Sequence, residues 1–307
     1  MIWSGVMPAI TTPFAASGAI DHDALALHLR GLEEAGCTGI VTCGSLGEGT
    51  TLDPDEKMAV VATARKTLEG RIPVVAGIAA ASTAEAARQV ETARKLGAEG
   101  FMILPPYLHR GPFQETTRHI ETLIAAAAPL GCMLYNNPAA YGVDILPEAI
   151  ATLAARHPNL LAVKDSTGDS RRVTAVRARL GDRLACFIGL DDMVLEGVAA
   201  GAIGWVAGLV NALPKESVAL FEAARHGDRE RAEAIYRWFL PLLRFDVVPE
   251  FVQLIKLTQA RTGRGDERVR APRLPVAGTL RQEAESTIAA CLKLHPLLFG
   301  TDGPADR

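Results

Sequence analysis

Eight short apolar runs alternating with amphipathic stretches constrain this chain more than any other feature of it. The runs occupy residues 6–11, 39–43, 73–78, 100–104, 132–136, 160–164, 186–189 and 203–207, and Gly or Pro bounds them. Continuous apolar strands of this length suit a sheet covered on both faces, where polar alternation is not needed. The stretches 21–35, 53–68, 83–96 and 113–127 instead repeat apolar residues at helical spacing, with Asp21, Asp53 and Ser82 placed as N-caps. Strands alternating with helices predict an α/β chain folded as a (β/α)8 TIM-type barrel. An open doubly wound sheet is the alternative, but no glycine fingerprint follows the first run.

Past Pro214 the strand pattern stops, and residues 216–225, 229–243, 249–262 and 278–294 read as helices. The first completes the barrel, taken as residues 1–226. The others form a C-terminal helical region, 227–307, packed on the barrel, with 268–275 as an extended linker. A chain of 307 residues buries about three quarters of its unfolded surface, so neither disulfide nor metal is needed for stability. The five cysteines, at 37, 43, 132, 186 and 291, form no CxxC, and an odd unpaired set suits a reducing cytoplasm. The first residues do not read as a secretion signal, and no apolar run reaches the length of a membrane span. The net charge of −3 speaks against a nucleic-acid partner, since phosphate binding draws on clustered Lys and Arg.

A barrel of this kind carries its site at the C-terminal ends of the strands. Those ends hold Gly44-Ser45-Leu46-Gly47-Glu48, Tyr135-Asn136-Asn137-Pro138, Lys164-Asp165-Ser166-Thr167-Gly168 and Gly189-Leu190-Asp191-Asp192. Lys164 follows Leu160-Leu161-Ala162-Val163, so its backbone belongs to a strand with almost no polar content. One reading is a lysine whose stem lines the wall while its ammonium reaches solvent or Asp165. The other is a nucleophile: a desolvated amine attacks a carbonyl, and the protonated imine withdraws electrons from the adjacent carbon. Tyr135 at the preceding strand end favours the second, because a phenol there is able to shuttle protons to and from that imine. Ser45 adds a hydroxyl, and the glycines around Leu46 and Gly47 let backbone N–H groups approach a substrate carboxylate. Glu48 orients this loop. Gly189 and Ala207 border the same mouth. Trp205 has two readings, packing on substrate or filling the barrel interior.

The seven histidines show no metal-site spacing, so no metal is expected; His109 alone lies near a strand end. No cofactor is expected either, since Walker, dinucleotide and GxSxG patterns do not occur.

Taken in order, these residues resemble the dihydrodipicolinate synthase and N-acetylneuraminate lyase family. The likeness runs through Pro8-Ala9-Ile10-Thr11-Thr12-Pro13-Phe14, the Gly44 loop, Pro105-Pro106-Tyr107, the Tyr135 motif, the Lys164 motif and the Gly189 motif. The resemblance implies a (β/α)8 Schiff-base lyase with a C-terminal helical region, homotetrameric, acting on a small 2-oxo acid or its imine. It also implies Lys164 as the imine-forming lysine, Tyr135 as the catalytic tyrosine, and Ser45 and Leu46 as the carboxylate loop.

Three positions depart from the family's synthases. Leu46 stands where a second hydroxyl residue is usual, and Leu108 where a second tyrosine reaches across a subunit interface. Ala140 replaces an arginine that holds the aldehyde substrate's carboxylate. Losing one such charge-assisted contact costs about 1.5–3 kcal/mol. The segments 135–144, 167–172 and 204–209 are instead similar to the family's catabolic deaminases acting on 1-pyrroline-4-hydroxy-2-carboxylate in hydroxyproline breakdown. The expected activity is therefore deamination of that cyclic imine to 2-oxoglutarate semialdehyde and ammonia. Aldolase or dehydratase action on a 2-keto-3-deoxy sugar acid, and 4-hydroxy-tetrahydrodipicolinate synthesis, are the alternatives within the family. A barrel that binds small acids without turnover is the alternative outside it.

Overall fold

Asp53 accepts the Glu56 N–H while the Glu56 carboxylate accepts the Asp53 N–H, so one helix starts in a reciprocal capping box. Asp21 and Ser82 likewise accept from the N–H groups of Ala24 and Glu85. The computed structural model describes residues 3–106 and 109–299. Its strands are β1 (Gly5–Val6), β2 (Ile40–Thr42), β3 (Val74–Ile78), β4 (Gly100–Ile103), β5 (Gly131–Asn136), β6 (Leu160–Asp165), β7 (Ala185–Ile188) and β8 (Gly204–Trp205). Between them lie α1 (His22–Glu34), α2 (Pro54–Leu68), α3 (Thr83–Lys95), α4 (Phe113–Ala127), the single turn α5 (Pro138–Tyr141), α6 (Pro147–Arg156), α7 (Arg171–Leu180) and α8 (Val194–Ala199).

All strands are parallel, in the order β1-β8-β7-β6-β5-β4-β3-β2. The remaining seam closes where Val41 donates to the Pro8 carbonyl at 2.8 Å and Ile10 donates to that of Val41 at 3.0 Å. The result is the expected (β/α)8 barrel with a C-terminal helical extension. β1 and β8 are two residues each, shorter than their apolar runs. Met7 and Ala9 still donate to Trp205 and Ala207, so the flanking residues keep single bonds outside a regular ladder.

Trp3 plugs the N-terminal end of the barrel. Its indole meets Phe187 edge-on at 6.5 Å, and a Cβ at Gly100 or Gly131 would sit 3.0 or 2.9 Å from it. Small residues there admit the large ring, which leaves the opposite mouth for chemistry.

Four helices follow: α9 (Pro214–Arg225), α10 (Arg229–Leu243), α11 (Phe251–Arg261) and α12 (Gly278–Phe299). Proline in the first turn of α9 starts it earlier than expected. Helix α12 continues through Pro296 instead of ending near residue 294. Its last turn is held by Phe299 stacked on His295 at 4.9 Å and packed against Trp238. No helix among the described residues is long and apolar enough to cross a membrane.

Candidate active site

Strand register brings Lys164 and Tyr135 together. The two are direct neighbours across β5 and β6, and in a parallel pair such neighbours share a face. Both are buried, and the Lys164 ammonium lies 4.3 Å from the centroid of the Tyr135 ring. Asp165 does not serve as the lysine's counter-ion. It alternates to the other face, where it accepts from Thr167 Oγ1 at 2.5 Å and Asn136 Nδ2 at 3.2 Å.

Gly189 is shaped by the lysine. A Cβ there would fall 2.6 Å from Lys164 Cε, 2.9 Å from its Cγ and 2.0 Å from Ser166 Oγ. The Ser166 hydroxyl, two residues beyond Lys164 on the same face, is buried with no hydrogen-bond partner among the described residues. Two polar groups thus stand side by side over a glycine, with space kept for the lysine stem.

The Tyr135 hydroxyl accepts from Asn137 Nδ2 at 2.9 Å, which leaves its own proton available for another acceptor. Asn137 also caps α5 by accepting from Ala140 N–H at 3.0 Å. That turn presents Tyr141, whose ring meets Tyr135 edge-on at 5.7 Å and whose hydroxyl is 2.8 Å from Ser45 Oγ. Tyr141 therefore touches both Ser45 and Tyr135. Ala140 is exposed and offers only a methyl group. Tyr107 and Leu108 lie outside the described residues.

The loop carrying Ser45, Leu46 and Gly47 is fixed from beneath. Thr12 Oγ1 donates to the Gly47 carbonyl at 2.7 Å, and a Cβ on Gly47 would meet the Ile10 carbonyl at 2.9 Å. Leu46 is buried. Glu48 is wholly buried in a left-handed conformation, φ 54°, and pairs with Lys256 of α11 at 2.7 Å. Its other oxygen accepts from Arg270 N–H at 3.0 Å.

Trp205, named above for packing on substrate or filling the interior, has a different place. Its register partners are Ile188 and Val6, whereas Lys164 aligns with Phe187 and Phe187 with Gly204. Trp205 therefore sits on the face opposite the lysine, wholly buried, and donates from its indole to Asp191 at 3.1 Å. Ala207 spends both backbone groups on Met7 and Ala9 and is fully enclosed. His109 pairs with Glu115 at 2.6 Å on the surface.

The wholly buried Asp191 and the half-buried Asp246 form an acid pair beside the mouth. Asp191 accepts from Leu209 N–H at 2.6 Å and Gly208 N–H at 3.0 Å, while Asp246 accepts from Asp191 N–H at 3.3 Å. Burial pushes Asp191 up to about 6 against these N–H groups and the charge of Lys164. Burial, together with the charge of Asp191, raises Asp246 well above the usual carboxylate range. Sequence reasoning missed Tyr141, Ser166 and Asp246. Only Tyr141 had a local signal, the Asn137-Pro138 start of a turn that ends on it.

A family model described as the dihydrodipicolinate synthetase family matches residues 2–291. The chain is 32% identical over 297 residues to the 4-hydroxy-tetrahydrodipicolinate synthase of Geobacter metallireducens, covering 97% of this chain and 100% of that one. The solved 4-hydroxy-tetrahydrodipicolinate synthase from Methylacidiphilum fumariolicum SolV superposes with a TM-score of 0.92 at 28% identity, covering 96% and 98% of the two chains. The chloride-inhibited dihydrodipicolinate synthase from Acinetobacter baumannii, complexed with pyruvate, gives 0.89 at 28% identity, covering 94% and 99%.

Proposed function

Because the chain belongs to the dihydrodipicolinate synthetase family, and so is a Schiff-base-forming lyase, we propose that Lys164 is its imine-forming residue and 1-pyrroline-4-hydroxy-2-carboxylate its substrate. The observation that carries the lysine's role is its burial in register with Tyr135, with no counter-ion supplied by Asp165. A relative complexed with pyruvate supports the same chemistry on a 2-oxo acid. The choice of substrate rests on Ala140, which supplies no cation where a second carboxylate would need one, and on Leu46, which leaves the first carboxylate's loop only a backbone N–H where a hydroxyl is usual.

In this reading the Lys164 amine attacks C2 of the cyclic imine, and the ring opens by transimination. The substrate carboxylate lies against the backbone N–H groups around Leu46 and Gly47. Loss of a C3 proton expels the C4 hydroxyl as water, with Tyr135 exchanging protons with the intermediate. Gly189, by leaving the lysine stem its space, keeps the nucleophile in place. A proton then leaves C5 and another is added at C3, which moves the double bond to C4 and C5; hydrolysis of this enamine releases ammonia, and hydrolysis of the imine to Lys164 releases 2-oxoglutarate semialdehyde. Placement in hydroxyproline catabolism follows from that substrate, a cytoplasmic setting from the unpaired cysteines, and a homotetramer from the resemblance.

The name shared by the relatives favours a second reading, 4-hydroxy-tetrahydrodipicolinate synthesis. Borohydride reduction in the presence of pyruvate or the hydroxypyrroline, followed by peptide mass spectrometry, is expected to mark Lys164. An adduct on another residue, or none, ends the lysine assignment. Ammonia release from the hydroxypyrroline then separates the readings. If release is negligible while pyruvate condenses briskly with an aldehyde acid, the deaminase reading gives way to the synthase.

A further inference from the structure

We propose that Tyr141 is a positioning and proton-relay residue of this site, acting through Ser45. The proposal rests on Lys164 being the imine-forming residue.

The geometry is specific. The Tyr141 hydroxyl lies 2.8 Å from Ser45 Oγ, a contact that joins residues 96 apart in sequence. Its ring packs edge-on against Tyr135, the aromatic over which the Lys164 ammonium sits. The turn that presents it is capped by Asn137, and the same amide donates to the Tyr135 hydroxyl. One four-residue helix, ended by Gly142 at φ 69°, therefore sets both phenols at once.

The chemistry needs such a group. Forming an enamine from the lysine imine removes a proton from carbon, and the reverse step returns one. Ser45 is too weak an acid and too weak a base to store a proton or its absence. It transfers one only if a partner exchanges a proton with it in the same step. When Ser45 gives its proton to the intermediate, Tyr141 gives its own to Ser45 and regains one from water. One O–H bond breaks and one forms at each oxygen, and the pair ends as it began. The reverse sequence serves proton removal.

The test uses the full chain with pyruvate in D2O. Borohydride trapping at Lys164 reads imine formation, and loss of the pyruvate methyl signal by NMR reads proton transfer at the adjacent carbon. Tyr141→Phe keeps the ring that packs on Tyr135. It is expected to trap within about twofold of the parent yet exchange about 100-fold more slowly. Ser45→Ala should behave alike, and the double variant should exchange no more slowly than the slower single one, since the two act as a unit. Unchanged exchange in Tyr141→Phe overturns the proposal, and so does a parallel fall in trapping and exchange, which marks a structural role. Absence of any adduct in the parent chain overturns the lysine assignment and this proposal together.

Discussion

Gly189 shows how much a single hydrogen atom decides at this mouth. Its backbone is not in the left-handed region, so alanine would be tolerated there but for space. The added methyl would lie 2.0 Å from Ser166 Oγ and 2.6 Å from Lys164 Cε, and one of the two has to move. Overpacking of this kind costs about 1–3 kcal/mol, and a displacement near 1 Å at a nucleophile costs about 100-fold in rate. Gly189→Ala is thus expected to lower turnover about 100-fold while shifting the urea midpoint only modestly. Turnover near that of the parent would show that the lysine stem has room to spare. Lys164 and Tyr135 were legible in sequence because each ends an apolar run, and a strand's end in a barrel is a known place. Tyr141, Ser166 and Asp246 were not, because what makes them informative is a contact or an unpaired atom. Neither is a property of local sequence.

Among the elements, the helices were read closely. Asp21, Asp53 and Ser82 all cap as expected, since a cap is a bond over three residues and leaves a local trace. The shortened β1 and β8 were not visible, because an apolar run records burial and not where a ladder stops being regular. Nor was the clasp between the loop after β2 and helix α11. The Lys256 ammonium donates to Glu48 Oε1, the Thr12 carbonyl and the Arg268 carbonyl, each at 2.7 Å. Burial lowers its pKa, and the Glu48 charge opposes that. Breaking a buried pair from one side leaves an uncompensated charge and costs about 3–5 kcal/mol. Lys256→Met should lose about that much in urea unfolding at pH 7, and adding Glu48→Gln should restore part of it. A loss below about 1 kcal/mol would mean that Arg270 and Arg273 already neutralise Glu48.

At the scale of the whole molecule, the seam between β1 and β8 depends on side chains where its ladder is thinnest. Asn211 donates to the Ala9 and Gly208 carbonyls at 2.8 and 2.7 Å, and its own oxygen accepts from Thr11 N–H at 3.3 Å. His28 of α1 completes the set, with Nε2 2.8 Å from that oxygen, so the ring is protonated on Nε2 and donates. Burial lowers the His28 pKa from 6.5 to about 4, outweighing the bond to Asn211. Between those values the unfolded chain binds the proton more readily than the folded one. Stability is therefore full above pH 6.5 and is lost as pH falls towards 4. Allowing for the ring's partial exposure, the loss from this one group is about 2 kcal/mol. His28→Gln keeps an N–H for Asn211 and removes the titration. Measured by urea unfolding at pH 7 and pH 4, the parent should lose about 2 kcal/mol more than the variant across that interval. The carboxyls of Asp165, Asp191 and Asp246, raised by burial, are common to both proteins, so their opposite slopes cancel in the difference. Equal losses in parent and variant would mean that acid enters the fold somewhere other than this seam.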